Sequence, residues 1–126
     1  MATRKASTRT APAPVARFRM RVISGDAVSI GPGKIALLEA IAETLSITAA
    51  AKSLGMSYRR AWLLVDQVNS SLARPAVASA IGGERGGGSE LTEVGADLVR
   101  LYRRIETRAE RAAATDIARL MTLLAK

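Results

Sequence analysis

The sequence predicts a mainly α-helical domain with a small β component. Apolar side chains recur at helical spacing through most of the 126 residues, which predicts amphipathic helices. Two stretches, 17–30 and 76–91, instead combine β-compatible residues with glycine, which predicts two short hairpins. Hydrophobic residues make up 48% of the chain but aromatic residues only 3%, so we expect a core of Ala, Leu, Ile and Val. The length fits one domain, because domains usually run to about 100–200 residues.

Composition excludes several classes of protein. The apolar fraction is too high for an intrinsically disordered chain, and no stretch approaches the ~20 uncharged apolar residues of a membrane span. The sequence has no Cys and no His, which excludes disulfides, Cys/His zinc sites and Ser–His or Cys–His catalysis. Its acidic residues are scattered, so we expect neither an enzyme nor a metal or cofactor site. The expected class is a small basic cytoplasmic protein with an anionic partner.

Most of the net charge of +8 lies near the N-terminus. Six of the 19 basic residues precede the first acidic residue, Asp26, and all six lie within residues 1–21. The other basic residues nearly balance the 11 acidic ones, so the rest of the chain carries little net charge. Residues 1–16 show no periodicity and predict a flexible basic arm; whether it contacts the partner is left open. A transit peptide is an alternative, although Pro12 and Pro14 oppose the helix that it needs.

The first predicted element is a β-hairpin. Residues 17–24 alternate between basic and apolar side chains, which is the period of a half-buried strand. Gly25-Asp26 interrupts the pattern, and residues 28–30 offer a short return strand. The basic side of the strand is Arg17, Arg19 and Arg21, and the apolar side is Phe18, Met20 and Val22.

Three helices follow, and local signals predict their ends. The first covers about residues 33–45 and the second about 48–54, where Gly55 is expected to stop it in a left-handed conformation. The third begins at an N-cap, Ser57, and reaches about Leu72. The predicted buried stripe of the first helix is Ile35, Leu38, Ile41, Ala42 and Leu45.

The second and third helices together predict a helix-turn-helix motif. Gly55 permits a sharp turn, Ala51 is small where the two helices approach, and apolar residues at 50, 56, 61 and 64 fill the interior. Each feature is weak alone, but their order and spacing are specific. Such a motif binds double-stranded DNA by placing its second helix in the major groove.

The N-terminal turns of the third helix carry the predicted DNA contacts. Arginine can grip guanine with two hydrogen bonds, and residues on the preceding helix suit phosphate contacts. The alternative is that the arginines form an ordinary solvated helix face. Trp62 is assigned to half-buried packing in preference to the DNA-facing surface. The predicted contact residues on the two helices are Thr48, Lys52, Ser57, Tyr58, Arg59 and Arg60.

A second hairpin is predicted after the third helix, which completes a winged helix-turn-helix architecture. Residues 77–81 and 89–91 are β-compatible and flank a glycine-rich run, 82–88. A phosphate-binding loop is a poorer interpretation, because no Lys precedes Ser or Thr there. We predict that the wing tip contacts DNA through its backbone and its one cation; a loop without contacts is the alternative. The predicted tip contacts are Arg85, Gly86 and Gly87.

The last predicted element is a long C-terminal helix capped by Thr92. An unbroken helix to residue 126 would be ~50 Å long, too long to bury its whole apolar stripe against its own domain. We therefore expect a homodimer; the alternative is a break near 114–116, after which the chain folds back. The expected organisation is an arm (1–16), a DNA-binding domain (17–91) and a dimerisation helix (92–126). The predicted dimerisation residues are Leu98, Leu101, Tyr102, Ile105, Ile117, Leu120, Met121 and Leu124.

Three segments, SITAAAK (46–52), MSYRRAW (56–62) and GGGSELT (86–92), resemble the DNA-binding domain of the molybdate-responsive ModE regulators. These regulators are winged helix-turn-helix proteins similar in fold to the N-terminal domain of LysR-type regulators. The resemblance covers about residues 17–112. It implies a bacterial transcription factor, dimeric through its last helix, that binds a palindromic operator near molybdenum-uptake genes. Family positions carried over are Ser57, Tyr58, Arg59, Arg60 and the wing residues Arg85 to Gly88.

Full-length ModE regulators also have a C-terminal portion that holds molybdate or tungstate. This sequence ends at the predicted dimerisation helix, so we expect a stand-alone form without that portion, with a separate molybdate sensor as one possible partner. The leading hypothesis is a sequence-specific homodimeric DNA-binding regulator. A non-specific architectural DNA-binding protein and a winged-helix protein-interaction module are the alternatives.

Overall fold

The structure is a computed structural model that describes residues 12–80 and 88–125. Within these ranges it has five helices and two antiparallel strand pairs, which confirms the mainly α-helical fold class with a small β component. The elements in chain order are β1 (Val22–Ser24), β2 (Ala27–Ile30), α1 (Pro32–Thr44), α2 (Ile47–Ser53), α3 (Tyr58–Ser71), β3 (Val77–Ser79), β4 (Ser89–Leu91), α4 (Glu93–Ala112) and α5 (Ala114–Met121).

The N-terminal hairpin is shorter than predicted. β1 pairs with β2 around Gly25-Asp26, as expected, and Gly25 has a φ of +61° in the turn. The predicted strand over 17–24 is wrong for its first part, because strand structure begins only at Val22. Met20 is held differently: its side chain packs against the core and its carbonyl oxygen accepts a hydrogen bond of 2.7 Å from the Tyr102 hydroxyl. Phe18 and Val22 stay exposed, so the alternation does not mark a buried strand face.

Lys34 fixes the hairpin to α1. Its ammonium group is buried and donates hydrogen bonds to the carbonyl oxygens of Val28 and Ser29 on β2. Burial lowers the pKa of Lys34 from its ordinary value. The two carbonyl dipoles offset the cost of burying the ammonium group. The same two hydrogen bonds connect the first turn of α1 to β2.

α1 is the central helix of the fold. It contacts α2, α3, α4 and β4, so it is buried over most of its circumference. The predicted single stripe is therefore wrong at Ala42 and Leu45, which are exposed. Leu45 instead ends the helix in the left-handed region, with a φ of +57°. The buried apolar residues of α1 are Ile35, Leu37, Leu38, Ala40 and Ile41.

The α2–α3 unit forms as the local signals predict. Gly55 has a φ of +69°, which favours glycine in the turn. Ser57 caps α3, because its hydroxyl oxygen accepts a 3.1 Å hydrogen bond from the Arg60 backbone N–H. Ser46 caps α2 in the same way by accepting from the Ala49 N–H at 3.0 Å, a cap that sequence reasoning treated only as a loop residue. Buried or partly buried between the helices are Ala50, Ala51, Met56, Ala61 and Leu64.

The C-terminal region is two helices rather than one. α4 ends at Ala112 and α5 begins at Ala114, because Ala113 has φ −100° and ψ 8°, away from helical values. The predicted continuous helix is thus wrong, and the break lies beside the alternative position, 114–116. No residue of α5 is buried, so this helix adds nothing to the core. The described helices include none that is both long and apolar enough to cross a membrane.

Candidate nucleic-acid interface

α3 has a buried face and an exposed face. Its buried residues are spaced three and four apart and pack against the core, and the residues on the opposite side of the helix are exposed. All four residues predicted to contact DNA at its start are exposed, and so are two apolar residues in the next turn. The buried face is Ala61, Leu64, Val65 and Val68, and the exposed residues are Ser57, Tyr58, Arg59, Arg60, Trp62 and Leu63.

Arg59 and Arg60 bring two available guanidinium groups to the first turn of α3. Neither forms an ion pair with any residue that the structure describes. At 3.6 residues per turn, Arg59 points away from the buried face, whereas Arg60 lies toward the β2 side and lines a cavity with Lys34. The two arginines thus face different directions, which suits one for a base edge and the other for a phosphate.

Ser57 has a structural role that limits how it can meet DNA. Its hydroxyl oxygen is used as the N-cap acceptor, while its proton remains available for donation. The N-terminus of a 14-residue helix also carries a positive partial charge. The start of α3 therefore favours an anionic partner, because the helix dipole and the two arginines are both positive there.

Thr48 and Lys52 lie on one side of α2, one helical turn apart, and both are exposed. This placement allows both side chains to approach the same surface, as phosphate contacts require. Thr48 and Lys52 on α2 and the start of α3 thus lie on two consecutive helices that are joined by the turn at Gly55.

Trp62 is more exposed than the preferred sequence interpretation implied. Its exposed fraction is 41%, and its ring meets Tyr58 edge-to-face with centroids 6.1 Å apart and an interplanar angle of 75°. Leu63, which sequence reasoning passed over, is 51% exposed. Leu63 lies four residues after Arg59, and helical spacing therefore predicts that it shares the outward face of Arg59. A concavity of about 540 Å³ is lined by Ser57, Arg59, Arg60, Trp62, Leu63 and Asp66.

The base of the wing is tied to α3 by one side chain, Asn69. Its carbonyl oxygen accepts from the backbone N–H groups of Ala76 (2.8 Å) and Val77 (3.1 Å), and its amide donates to the Val77 carbonyl oxygen (3.2 Å). Local sequence signals do not predict this role, because the three bonds join α3 to residues seven and eight positions further along the chain. The wing tip predictions, Arg85, Gly86 and Gly87, lie outside the described residues.

α4 contacts the base of the wing from the other side. Thr92 caps α4 by accepting from the Gly95 N–H at 3.1 Å, as predicted, and its hydroxyl donates to the Pro75 carbonyl oxygen at 2.7 Å. Gly95 lies directly against Ala76, where a Cβ atom would come within 2.2 Å of the Ala76 carbonyl oxygen. The base of the wing is thus held by both α3 and α4.

The predicted dimerisation stripe divides into two sets. Tyr102 is a correction: only 1% of it is exposed, because it faces the domain's own core, so it is unavailable for contact with a second chain. Leu98 also packs partly against the core. Leu101 and Ile105, one turn apart, are exposed by 53% and 45%. In and after α5, Leu120 and Leu124 are exposed, and Ile117 and Met121 are partly exposed.

Arg103 fastens α4 to α1, a contact that sequence reasoning missed. Its guanidinium group forms two hydrogen bonds to the Glu39 carboxylate, at 2.7 and 2.8 Å, and a third to Glu106 at 2.7 Å. These bonds lower the pKa of Glu39 and raise that of Arg103. Arg103 and Glu39 are 64 residues apart in the sequence, so only the tertiary arrangement reveals this pair.

Comparison with known proteins finds relatives among molybdenum proteins, although no family model matches the chain. The chain is 44% identical over 85 residues to the molybdenum-pterin-binding protein MopB of Rhodobacter capsulatus, covering 68% of this chain and 32% of that protein. It is 38% identical over 88 residues to the molybdenum transport protein ModE of Azotobacter vinelandii, covering 70% and 33%. It is 41% identical over 71 residues to the DNA-binding transcriptional dual regulator ModE of Escherichia coli K12, covering 56% and 27%. The chain therefore spans about a third of the length of these relatives.

Among solved structures, the chain is similar to the CbnR DNA-binding domain in its complex with DNA. The TM-score is 0.55 at 24% identity, over 70% of this chain and 95% of that chain. The match covers nearly all of that domain, so it shows that the two share one fold. The predicted winged helix-turn-helix architecture is confirmed by this similarity.

Proposed function

The chain belongs with the ModE-like DNA-binding domains, and from this premise we propose that it is a sequence-specific transcriptional regulator that binds double-stranded DNA. The observation that carries the proposal is the start of α3, where Arg59 and Arg60 are exposed and form no ion pair with any described residue. A cationic helix start opposite a well-packed core face is what insertion into the major groove requires.

In this proposal, each element has a distinct part in binding. Arg59 points outward and donates two hydrogen bonds to a guanine, while Arg60 contacts a phosphate on the flank of the groove. Thr48 and Lys52 on α2 contact phosphates and fix the register without recognising sequence. The wing, held at its base by Asn69, presents its tip to the neighbouring phosphates or minor groove.

The link to molybdenum is also part of the proposal. It is supported by relatives whose names concern molybdenum transport, molybdenum–pterin binding or ModE regulation, although the chain matches only about a third of their length. Mapping the DNA bound by this protein across the genome of its source tests the link. We expect sites upstream of genes for molybdenum uptake or metabolism. Sites that share a sequence motif but lie near unrelated genes would disprove the molybdenum link and leave sequence-specific binding intact.

We further propose that the regulator binds as a homodimer to a near-palindromic site. Leu101 and Ile105 support this, because two exposed apolar side chains one turn apart on α4 favour pairing with a second copy. Two α3 helices would then lie about 34 Å apart, one turn of DNA. Light scattering should report a dimer for the full chain and a monomer for the double variant Leu101→Glu, Ile105→Glu. A monomeric wild-type chain at micromolar concentration would contradict the proposal.

A non-specific architectural role is the second candidate, favoured by one observation: six basic residues lie within residues 1–21. Deleting residues 1–16 separates the two. The deletion removes three of the six cations, Arg4, Lys5 and Arg9, and this loss should weaken all DNA binding, because phosphate contacts release counterions irrespective of sequence. Under the leading proposal, the truncated chain keeps its preference for its own site over scrambled DNA. If the truncation abolished binding to both DNAs equally, the architectural role would be the better account.

A further inference from the structure

We propose that Trp62 and Leu63 are specificity-determining residues that recognise thymine by packing against its 5-methyl group. The inference rests on the proposed function and deepens it, since it names what the centre of the DNA-binding surface recognises besides guanine. It concerns the exposed side of α3 one turn beyond the arginines.

Trp62 and Leu63 are not among the residues that form the core of the domain. α3 already buries a complete apolar face through Ala61, Leu64, Val65 and Val68. Trp62 and Leu63 are 41% and 51% exposed. Large apolar groups at adjacent outward positions of a helix gain free energy only when a partner covers them.

The Trp62 ring is packed against another aromatic ring of α3. Tyr58, one turn earlier, meets it edge-to-face with ring centroids 6.1 Å apart. Aromatic pairs prefer this geometry, so the Trp62 ring loses less freedom on binding than an isolated side chain would. A preorganised apolar surface suits discrimination between bases, because little ordering is left to oppose the contact.

The residues around Trp62 and Leu63 indicate which partner covers them. Trp62 and Leu63 share a concavity of about 540 Å³ with Arg59, Arg60 and one acidic residue, Asp66, so the cations around the apolar centre outnumber the single anion. Cations at the edge favour a polyanion over a protein surface of ordinary charge. Within the major groove, the apolar group that base edges present is the 5-methyl of thymine. The chemistry of the concavity therefore matches thymine beside guanine.

The test uses the full chain and DNA selected by it from a random-sequence pool. Each thymine of the selected site is replaced in turn by deoxyuridine, which removes only the methyl group. We expect at least one thymine per half-site where the replacement weakens binding about fourfold, the equivalent of about 0.8 kcal/mol for one buried carbon. In Trp62→Ala or Leu63→Ala the same replacement should have almost no effect.

Leu123→Ala is the matched control, because Leu123 is also an exposed leucine but lies after α5. It should keep the wild-type ratio of thymine to deoxyuridine affinity. A selected site whose affinity is insensitive to every deoxyuridine, or a ratio unchanged in both α3 variants, would overturn the inference and leave the proposed function standing. A selection that enriches no sequence at all would instead contradict the proposed function, and the inference would fall with it.

Discussion

The contact between Gly95 and Ala76 offers a sharp prediction about what holds the wing in place. A Cβ atom at Gly95 would lie 2.2 Å from the Ala76 carbonyl oxygen and 3.0 Å from its carbonyl carbon. Both atoms belong to backbone that is itself fixed. The Ala76 carbonyl accepts from the Thr92 N–H at 2.9 Å, and the Ala76 N–H donates to Asn69 at 2.8 Å. Strand β3 therefore cannot move away from a new methyl group without giving up these bonds.

The expected cost of Gly95→Ala follows from three contributions. Forcing a methyl group into packed backbone costs about 1–3 kcal/mol. Displacing Ala76 weakens two hydrogen bonds worth about 1 kcal/mol each. Replacing glycine by alanine in a helix returns about 1 kcal/mol. We therefore expect Gly95→Ala to lower the free energy of unfolding by about 2–4 kcal/mol.

Urea denaturation at one fixed protein concentration measures this change, since association would otherwise alter the apparent stability. Gly33→Ala is the matched control: Gly33 also lies in the first turn of a helix, but a Cβ there meets nothing within 4 Å. It should raise the free energy of unfolding by up to about 1 kcal/mol. If Gly95→Ala were as stable as wild type, the close approach of α4 to β3, and the wing position derived from it, would be wrong.

Three further changes test other contacts in the fold. Tyr102→Phe removes the hydrogen bond to the Met20 carbonyl oxygen and should cost about 1 kcal/mol in thermal or urea unfolding; no change would contradict the anchoring of the N-terminal segment. Asn69→Ala leaves two backbone N–H groups without their acceptor and should cost about 1–3 kcal/mol while weakening DNA binding; unchanged stability would rule out its role at the wing base. The hydrogen bond from Arg103 lowers the pKa of the Glu39 carboxyl group. The contribution of this ion pair to the free energy of unfolding is therefore present above the ordinary pKa of 4.5 and is lost as the pH falls below that value. The difference in unfolding free energy between wild type and Glu39→Gln should therefore be at most about 1 kcal/mol at pH 7 and shrink toward pH 3; a difference that grew on acidification would contradict the ion pair.

Local features of the fold could be predicted because local chemistry decides them. Ser57 and Thr92 cap their helices through bonds that span three residues, and Gly55 needs its positive φ whatever surrounds it. Such signals are complete within a few residues of sequence. The helix ends they predict agree with the structure to within about one residue.

Features that depend on which surfaces meet could not be predicted from spacing. The period of α4 puts Leu98, Leu101, Tyr102 and Ile105 toward one side, but only the packing of α4 on α1 shows that Tyr102 faces inward and Leu101 outward. Residues 17–21 likewise alternate as a strand would. In the described part of the chain no strand pairs with them, and Met20 is held instead by the hydrogen bond from Tyr102 on α4.

The candidate site was predictable to the extent that helical phase determines it. Once Ala61, Leu64 and Val65 are assigned to the core, Arg59 must point away from it. Trp62 was harder to place: the spacing of four residues allows its contact with Tyr58, but it does not show how much of either ring the rest of the domain covers. Asn69 was missed because its partners lie on another element.

The most direct test of the central claim is the ratio of affinities for a selected site and a scrambled one, measured at the same salt concentration. For the wild-type chain we expect a preference of at least about 1,000-fold. Arg59→Ala should reduce that preference by about ten- to a hundredfold, whereas Arg104→Ala, an exposed arginine on α4, should leave it unchanged. Equal affinity of the wild-type chain for both DNAs would contradict the claim that α3 recognises sequence.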